Sequence, residues 1–133
     1  MKQKVIIEWG KDGSYSAYAP DMQNAPIGTG NTAEETKQDF LNTVREMREV
    51  YMEEGKTVPE ELNAEFNFQY DISALFSAFP FLNISKTAHA LGINESLMRQ
   101  YSKGQYVSKQ RTLEIEAGIH ELGARLQKVS LTH

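Results

Sequence analysis

No cysteine occurs among the 133 residues, which excludes disulfides and thiolate metal sites and leaves nothing that points to an oxidising compartment. Long apolar runs are missing too. Near the N-terminus the run Val5-Ile6-Ile7 stops at three residues, far short of a secretory leader or a membrane span. The expectation is a soluble, cytoplasmic protein with no membrane partner. His89, His120 and His133 have no second histidine or cysteine at ligand spacing, so neither a metal nor another cofactor is expected. No phosphate loop, nucleophile elbow or dinucleotide fingerprint is found, and there is no low-complexity segment or internal repeat. Surplus positive charge is scarce: the net charge is −4.

That charge is unevenly placed. Residues 1–70 carry 7 Lys/Arg against 13 Asp/Glu, and residues 71–133 carry 7 against 5. An acidic front and a mildly basic back predict two modules with different partners, divided near residue 70.

The back half holds the most informative stretch, Ile84 to Glu116. A short polar-started helix runs into Leu91-Gly92-Ile93-Asn94, a second runs to Lys103-Gly104, and Ser108 opens a third. Ala88, Leu91, Ile93, Met98 and Tyr101 have the spacing that buries two short helices against each other, with Gly92 at the turn. Asn94, Glu95, Ser96, Arg99, Gln100 and Lys103 are left facing outward. This segment resembles the phage-repressor class of helix-turn-helix, carried by Ala88, Leu91-Gly92-Ile93, the Tyr101-to-Gly104 exit, and Ser108 followed by Thr112, Leu113 and Ile115. The resemblance implies a recognition helix that enters the major groove of double-stranded operator DNA. Arg99 and Gln100 are the side chains suited to paired bonds with guanine and adenine. Asn94, Ser96 and Lys103 suit phosphates or base edges, and an exposed Leu97 suits a thymine methyl. Glu95 repels phosphate unless it accepts from a cytosine amine, and Lys86, Gln105 and Lys109 flank the helix where backbone contacts fall. A use of the same motif for protein contacts alone stays open.

Upstream of that motif, Asp71 or Ser73 can cap a helix bearing Ile72, Leu75, Phe76 and Phe79, which Pro80 ends. Phe76, Phe79, Phe81 and Leu82 are expected in the core. Downstream, Thr112, Ile115, Ile119, Leu122, Leu126 and Val129 keep a three-to-four spacing. Such a helix outreaches the core of its own small unit. Its distal part (Ile119, Leu122, Leu126, Val129) is expected to pair with a second protomer, giving a homodimer or larger oligomer. The alternative is that it lies back on the front module.

In the front half, Lys2 to Trp9 reads as a strand, with Val5, Ile7 and Trp9 on one face. Gly13 serves a hairpin turn, Tyr15 to Ala19 returns, and a short strand is expected near Ile27-Gly28-Thr29. Thr32-Ala33-Glu34-Glu35 is a capping box opening a helix that packs through Ala33, Phe40, Val44, Met47 and Tyr51, with Thr36 or Lys37 filling the gap. Glu65 to Asp71 alternates Phe66, Phe68 and Tyr70 against Asn67, Gln69 and Asp71, a half-buried strand. The fold class expected is α+β: a small antiparallel sheet with one packed helix, followed by an all-α helix-turn-helix domain.

Gly13-Ser14-Tyr15-Ser16-Ala17-Tyr18-Ala19-Pro20-Asp21-Met22, then Gly30, Thr32 and Glu35, resembles the N-terminal domain of HicB-type antitoxins. Gln23-Asn24-Ala25-Pro26 departs from it, standing where the family often has Pro-Gly-Cys. The resemblance implies a reduced ribonuclease H-like domain that binds and masks a small basic HicA-type mRNA interferase, on a protein that represses its own operon. The acidic face of the first helix (Glu34, Asp39, Glu46, Glu49 and Glu53) suits a basic partner electrostatically, though the toxin-contact residues are unknown. A stand-alone regulator, its front domain binding another protein or a small effector, is the alternative. The ribonuclease H likeness directs attention to Glu8, Asp39 and Asp71 as metal-binding carboxylates. Two-metal cleavage needs acids converging on ions about 4 Å apart, and nothing in this spacing requires convergence. The chain is expected not to be an enzyme.

Overall fold

The computed structural model describes all residues, 1–133. The order is β1 (Lys2–Trp9), β2 (Tyr15–Tyr18), β3 (Ile27–Gly30), α1 (Ala33–Glu53), a 3-10 turn at Glu60–Asn63, β4 (Glu65–Tyr70), α2 (Ile72–Ala78), α3 (Ile84–Leu91), α4 (Glu95–Ser102) and α5 (Lys109–Gln127). It is an α+β molecule with one four-stranded sheet and five α-helices.

The sheet runs β3-β2-β1-β4. β1 pairs antiparallel with β2, with Ile7 opposite Ala17, and parallel with β4, with Val5 beside Phe68. The expected antiparallel sheet is therefore corrected to a mixed one. Side-chain alternation is the same in both senses and carries no direction. The long connection through β2, β3 and α1 is what permits the parallel pairing.

Strand register puts Val5, Ile7, Trp9, Tyr15, Ala17, Phe66, Phe68 and Tyr70 on one face, and α1 covers it. Phe40 is fully buried and meets Phe66 and Phe68 edge-on, at 5.3 and 5.8 Å between centroids. α1 starts as a capping box: Thr32 Oγ1 accepts the Glu35 N–H at 3.1 Å, and Glu35 Oε2 accepts the Asn31 N–H at 3.0 Å. Thr36, not Lys37, fills the gap in the buried stripe and donates its hydroxyl proton to the Thr32 carbonyl. Trp9 shares the core face but stands at the strand end, 38% exposed.

Two hydrophobic clusters divide the molecule. The first joins β1, β2, α1 and Leu62 around Val5, Ile7 and Phe40. The second gathers Ile72, Phe76, Ala88, Ile93, Met98, Tyr101 and Ile115 from α2 to α5. α2 serves both, since Ala74 packs in the first while Ile72 and Phe76 pack in the second. Ser73 links the halves further, its hydroxyl accepting the Trp9 N–H at 3.2 Å.

Beyond α2 the expected aromatic core is smaller than predicted. Phe76 is buried and Leu82 half-buried, but Phe79 is 39% and Phe81 79% exposed. Pro80 follows the end of α2 and turns the chain outward. Phe79 and Phe81 meet edge-on at the surface, 6.0 Å apart.

α5 crosses α3 at Gly118, where a β-carbon would come within 2.6 Å of Leu91 Cγ. Past that crossing it leaves the body. Ile119 and Leu122 are half-buried, whereas Leu126 is 71% exposed. The helix ends at Gln127, so Val129 stands beyond it and is 60% exposed. Ile119 and His120 still line a cleft shared with β4, whereas Leu126 and Val129 lie open to solvent. A cleft of about 1020 Å³ opens between β4 and the first half of α5, with α2 also contributing.

Candidate nucleic-acid interface

Side-chain caps and left-handed glycines set the edges of α3 and α4. Asn83 Oδ1 accepts the Lys86 N–H at 2.9 Å, and Asn94 Oδ1 accepts the Leu97 N–H at 3.1 Å. Between the helices Gly92 takes φ 72° and ψ 27°. The Ile93 N–H closes on the Ala88 carbonyl at 2.9 Å, the bond that lets a left-handed residue end a helix. The turn is short and sharp because glycine meets no β-carbon penalty there. Gly104, at φ 93°, ends α4 in the same way.

α4 is eight residues long, about 12 Å at 1.5 Å per residue, and an α-helix with its side chains is about as thick as a B-DNA major groove is wide. One face is fastened down: Met98 is fully buried and Tyr101 nearly so, against Ala88, Ile93 and Ile115. The opposite face is open, with Asn94, Glu95, Ser96, Arg99, Gln100 and Lys103 all exposed. Lys86, Gln105 and Lys109 are exposed around it, and Lys109 also lines the cleft beside β4. Leu97 departs from expectation. It is half-buried against the second cluster, which leaves it less of a face for a methyl contact.

Arg99 is paired on its own helix. Its Nη2 lies 2.6 Å from Glu95 Oε1, one turn back along the exposed face. Glu95 thereby serves the first turn of α4, where the helix dipole favours an anion, and it also neutralises the cation best suited to guanine.

Tyr106, between α4 and α5, lies outside the set read from the sequence. It is 86% exposed and adjoins Gln105. An aromatic residue in a short loop between Gly104 and Ser108 was the available signal.

The three carboxylates considered for metal binding have separate structural tasks. Glu8 accepts the Tyr18 hydroxyl at 2.7 Å, Asp39 accepts the Thr29 N–H at 2.8 Å, and Asp71 caps α2 through the Ala74 N–H at 2.8 Å. Desolvation, then the bond to Glu8, pushes the Tyr18 hydroxyl up to about 12. No three His, Asp or Glu side chains converge as a metal-holding group. On α1, Glu34, Asp39, Glu46, Glu49 and Glu53 are all exposed, with Glu34 paired to Lys37 and Glu49 to Arg45.

No family model, curated protein or solved structure matches this chain. No helix is long and apolar enough to cross a membrane.

Proposed function

We propose that the chain is a HicB-like antitoxin with two working surfaces. α3 and α4 form a phage-repressor-like helix-turn-helix that reads operator DNA, and the sheet module binds and masks a HicA-type mRNA interferase. The observation that carries the DNA half is the polarity of α4. Met98 and Tyr101 anchor one side, while Arg99, Gln100 and Lys103 stand exposed on the other.

A single copy binds DNA weakly on this reading, because the helical half carries only 7 cations against 5 anions and affinity for duplex comes largely from phosphate neutralisation. Two copies, paired through Ile119, Leu122 and Leu126, place two α4 helices on half-sites about 34 Å apart. The carboxylates exposed on α1 give the sheet module an acidic surface for a basic toxin.

The decisive experiment has two arms. Selection of bound duplexes from a random pool is expected to yield a two-fold symmetric site. Capture from the native host is expected to yield a small basic protein, toxic when expressed alone. Enrichment of a site without such a partner leaves a stand-alone regulator. The cleft between β4 and α5 favours that second reading in one respect: its volume of about 1020 Å³ reaches the upper end of small-molecule pockets. Failure to enrich any sequence refutes the DNA half of both.

A further inference from the structure

The outer edge of β4 has no neighbour in the sheet, so one row of its peptide N–H and C=O groups meets no other strand. Alongside it lies the cleft of about 1020 Å³, to which Ile72 and Leu75 contribute from α2, Phe79 from just beyond it, and Leu113 and Ile119 from α5. An open strand edge beside an apolar cleft is the arrangement that accepts an added strand, with main-chain bonds holding it and alternate side chains seating in pockets.

The chain carries a segment of matching pattern. After α5 ends at Gln127, residues 130–133 make no hydrogen bond with any part of their own chain. Val129-Ser130-Leu131-Thr132 alternates apolar and polar, and Val129 and Leu131 are 60% and 88% exposed. β4 alternates the same way, with Phe68 and Tyr70 on one face and Asn67 and Gln69 on the other. Laid beside β4, the segment continues both rows: Val129 and Leu131 extend the apolar row, and Ser130 and Thr132 the polar one.

We propose that this segment of one protomer lies along the outer edge of β4 in a second copy, filling the cleft between β4 and α5. The occupant is the second copy because of where α5 points. The cleft draws on α5 between Lys109 and His120, whereas the tail leaves from the opposite end of a 19-residue helix, about 28 Å long at 1.5 Å per residue. To reach its own β4 the tail must reverse at Lys128 and run back along α5. When two α5 helices pair antiparallel through Leu122 and Leu126, the end of each helix falls beside the second half of the partner's α5, and the tail, extended at about 3.3 Å per residue, runs on toward the partner's first α5 turns with no reversal. The contact is isologous, so both clefts fill at once and neither β4 edge is left open to further copies. The exchange rests on the α5 pairing proposed above and is independent of whether α4 reads DNA.

Because the chain has no cysteine, disulfide trapping tests this directly. Asn67→Cys and Gln69→Cys chains are each mixed with Ser130→Cys and Thr132→Cys chains under mild oxidation, since neighbouring strands bring residues within disulfide reach. At least one mixture is expected to give a covalent heterodimer. Hydrogen exchange at residues 65–70 is expected to be slow in the full chain and at least about tenfold faster after deletion of 129–133. A full chain that is monomeric at tens of micromolar overturns both the exchange and the α5 pairing. A dimer in which no mixture crosslinks and the deletion leaves β4 unchanged overturns the exchange alone. Double variants that close within one chain overturn it in favour of the protomer's own tail. Protection of β4 that survives the deletion and follows a bound small molecule assigns the cleft to an effector instead.

Discussion

Arg99 Nη2 and Glu95 Oε1 stand 2.6 Å apart on the exposed face of α4, each side chain about half accessible. An exposed pair one helical turn apart contributes about 0.3–0.5 kcal/mol to folding, so DNA can break it at small cost. On the proposed DNA-binding reading, removing the carboxylate acts twice: it frees the guanidinium and deletes a negative charge that would face phosphate. Glu95→Gln is therefore expected to tighten binding to random duplex several-fold and to steepen the salt dependence by about one released counterion, with little change in thermal stability. Fluorescence anisotropy across a salt series reads both. Unchanged binding removes α4 from the interface. Loss at one base position alone makes Glu95 a reader of cytosine.

Arg99 and Lys109 differ in what they offer DNA. Arg99 presents a planar fork suited to guanine, whereas Lys109 presents a point charge beside the helix. Arg99→Ala is expected to lose about 1–3 kcal/mol on the selected site and to relax one base position. Lys109→Ala is expected to weaken selected and random duplexes alike. Equal losses on both duplexes for Arg99→Ala refute its role as a reader.

α1 and β3 approach so closely at Gly28 that a β-carbon there would lie 2.6 Å from both the Phe40 nitrogen and the Thr36 carbonyl oxygen. Both obstacles are backbone, so neither yields by a rotamer change. Gly28→Ala is expected to destabilise the fold by about 1–3 kcal/mol, as overpacking does. Gly123 in α5 is the contrast, since a β-carbon there meets nothing within 4 Å. Gly123→Ala is expected to raise stability by up to about 1 kcal/mol through helix propensity. Chemical denaturation of both variants checks the pair, and equal shifts contradict the steric account.

The sequence disclosed local structure where one side chain settles the matter. Thr32 and Ser108 cap the helices they are expected to open, and Phe40, Val44, Met98 and Ile115 face inward as their spacing requires. Of the alternatives Asp71 and Ser73, Asp71 does the capping. Long-range relations were less legible. Nothing in the alternation of Phe66, Phe68 and Tyr70 tells a parallel neighbour from an antiparallel one. The exposure of Phe81 follows from the direction the chain takes after Pro80, a tertiary outcome. In the candidate site the exposed set on α4 was readable from helical period. The Arg99–Glu95 pair has the i, i+4 spacing of a helical ion pair, a signal that reading each residue against DNA alone passes over. The Gly118–Leu91 crossing joins residues 27 positions apart, and no local pattern encodes it.

Asp71 offers a test of how the two hydrophobic clusters are joined. Its Oδ1 accepts the Ser73 hydroxyl at 2.6 Å and the Ala74 N–H at 2.8 Å. Desolvation raises its pKa above the ordinary 3.8, outweighing the lowering by those two bonds, and the nearby Glu8 charge pushes the same way. A carboxyl whose folded value is raised binds its proton more tightly in the native state. Its contribution to stability is full below about the unfolded value and is lost as pH rises through the folded one. Asparagine keeps the cap and cannot titrate. The stability of Asp71→Asn relative to the native chain is therefore expected to increase from below pH 3.8 upward and then level off. Asp71→Ala loses the cap as well, at a cost of about 1 kcal/mol. Urea denaturation at a series of pH values resolves the two effects. A difference between Asp71→Asn and the native chain that stays flat with pH means that folding leaves the Asp71 titration where it was.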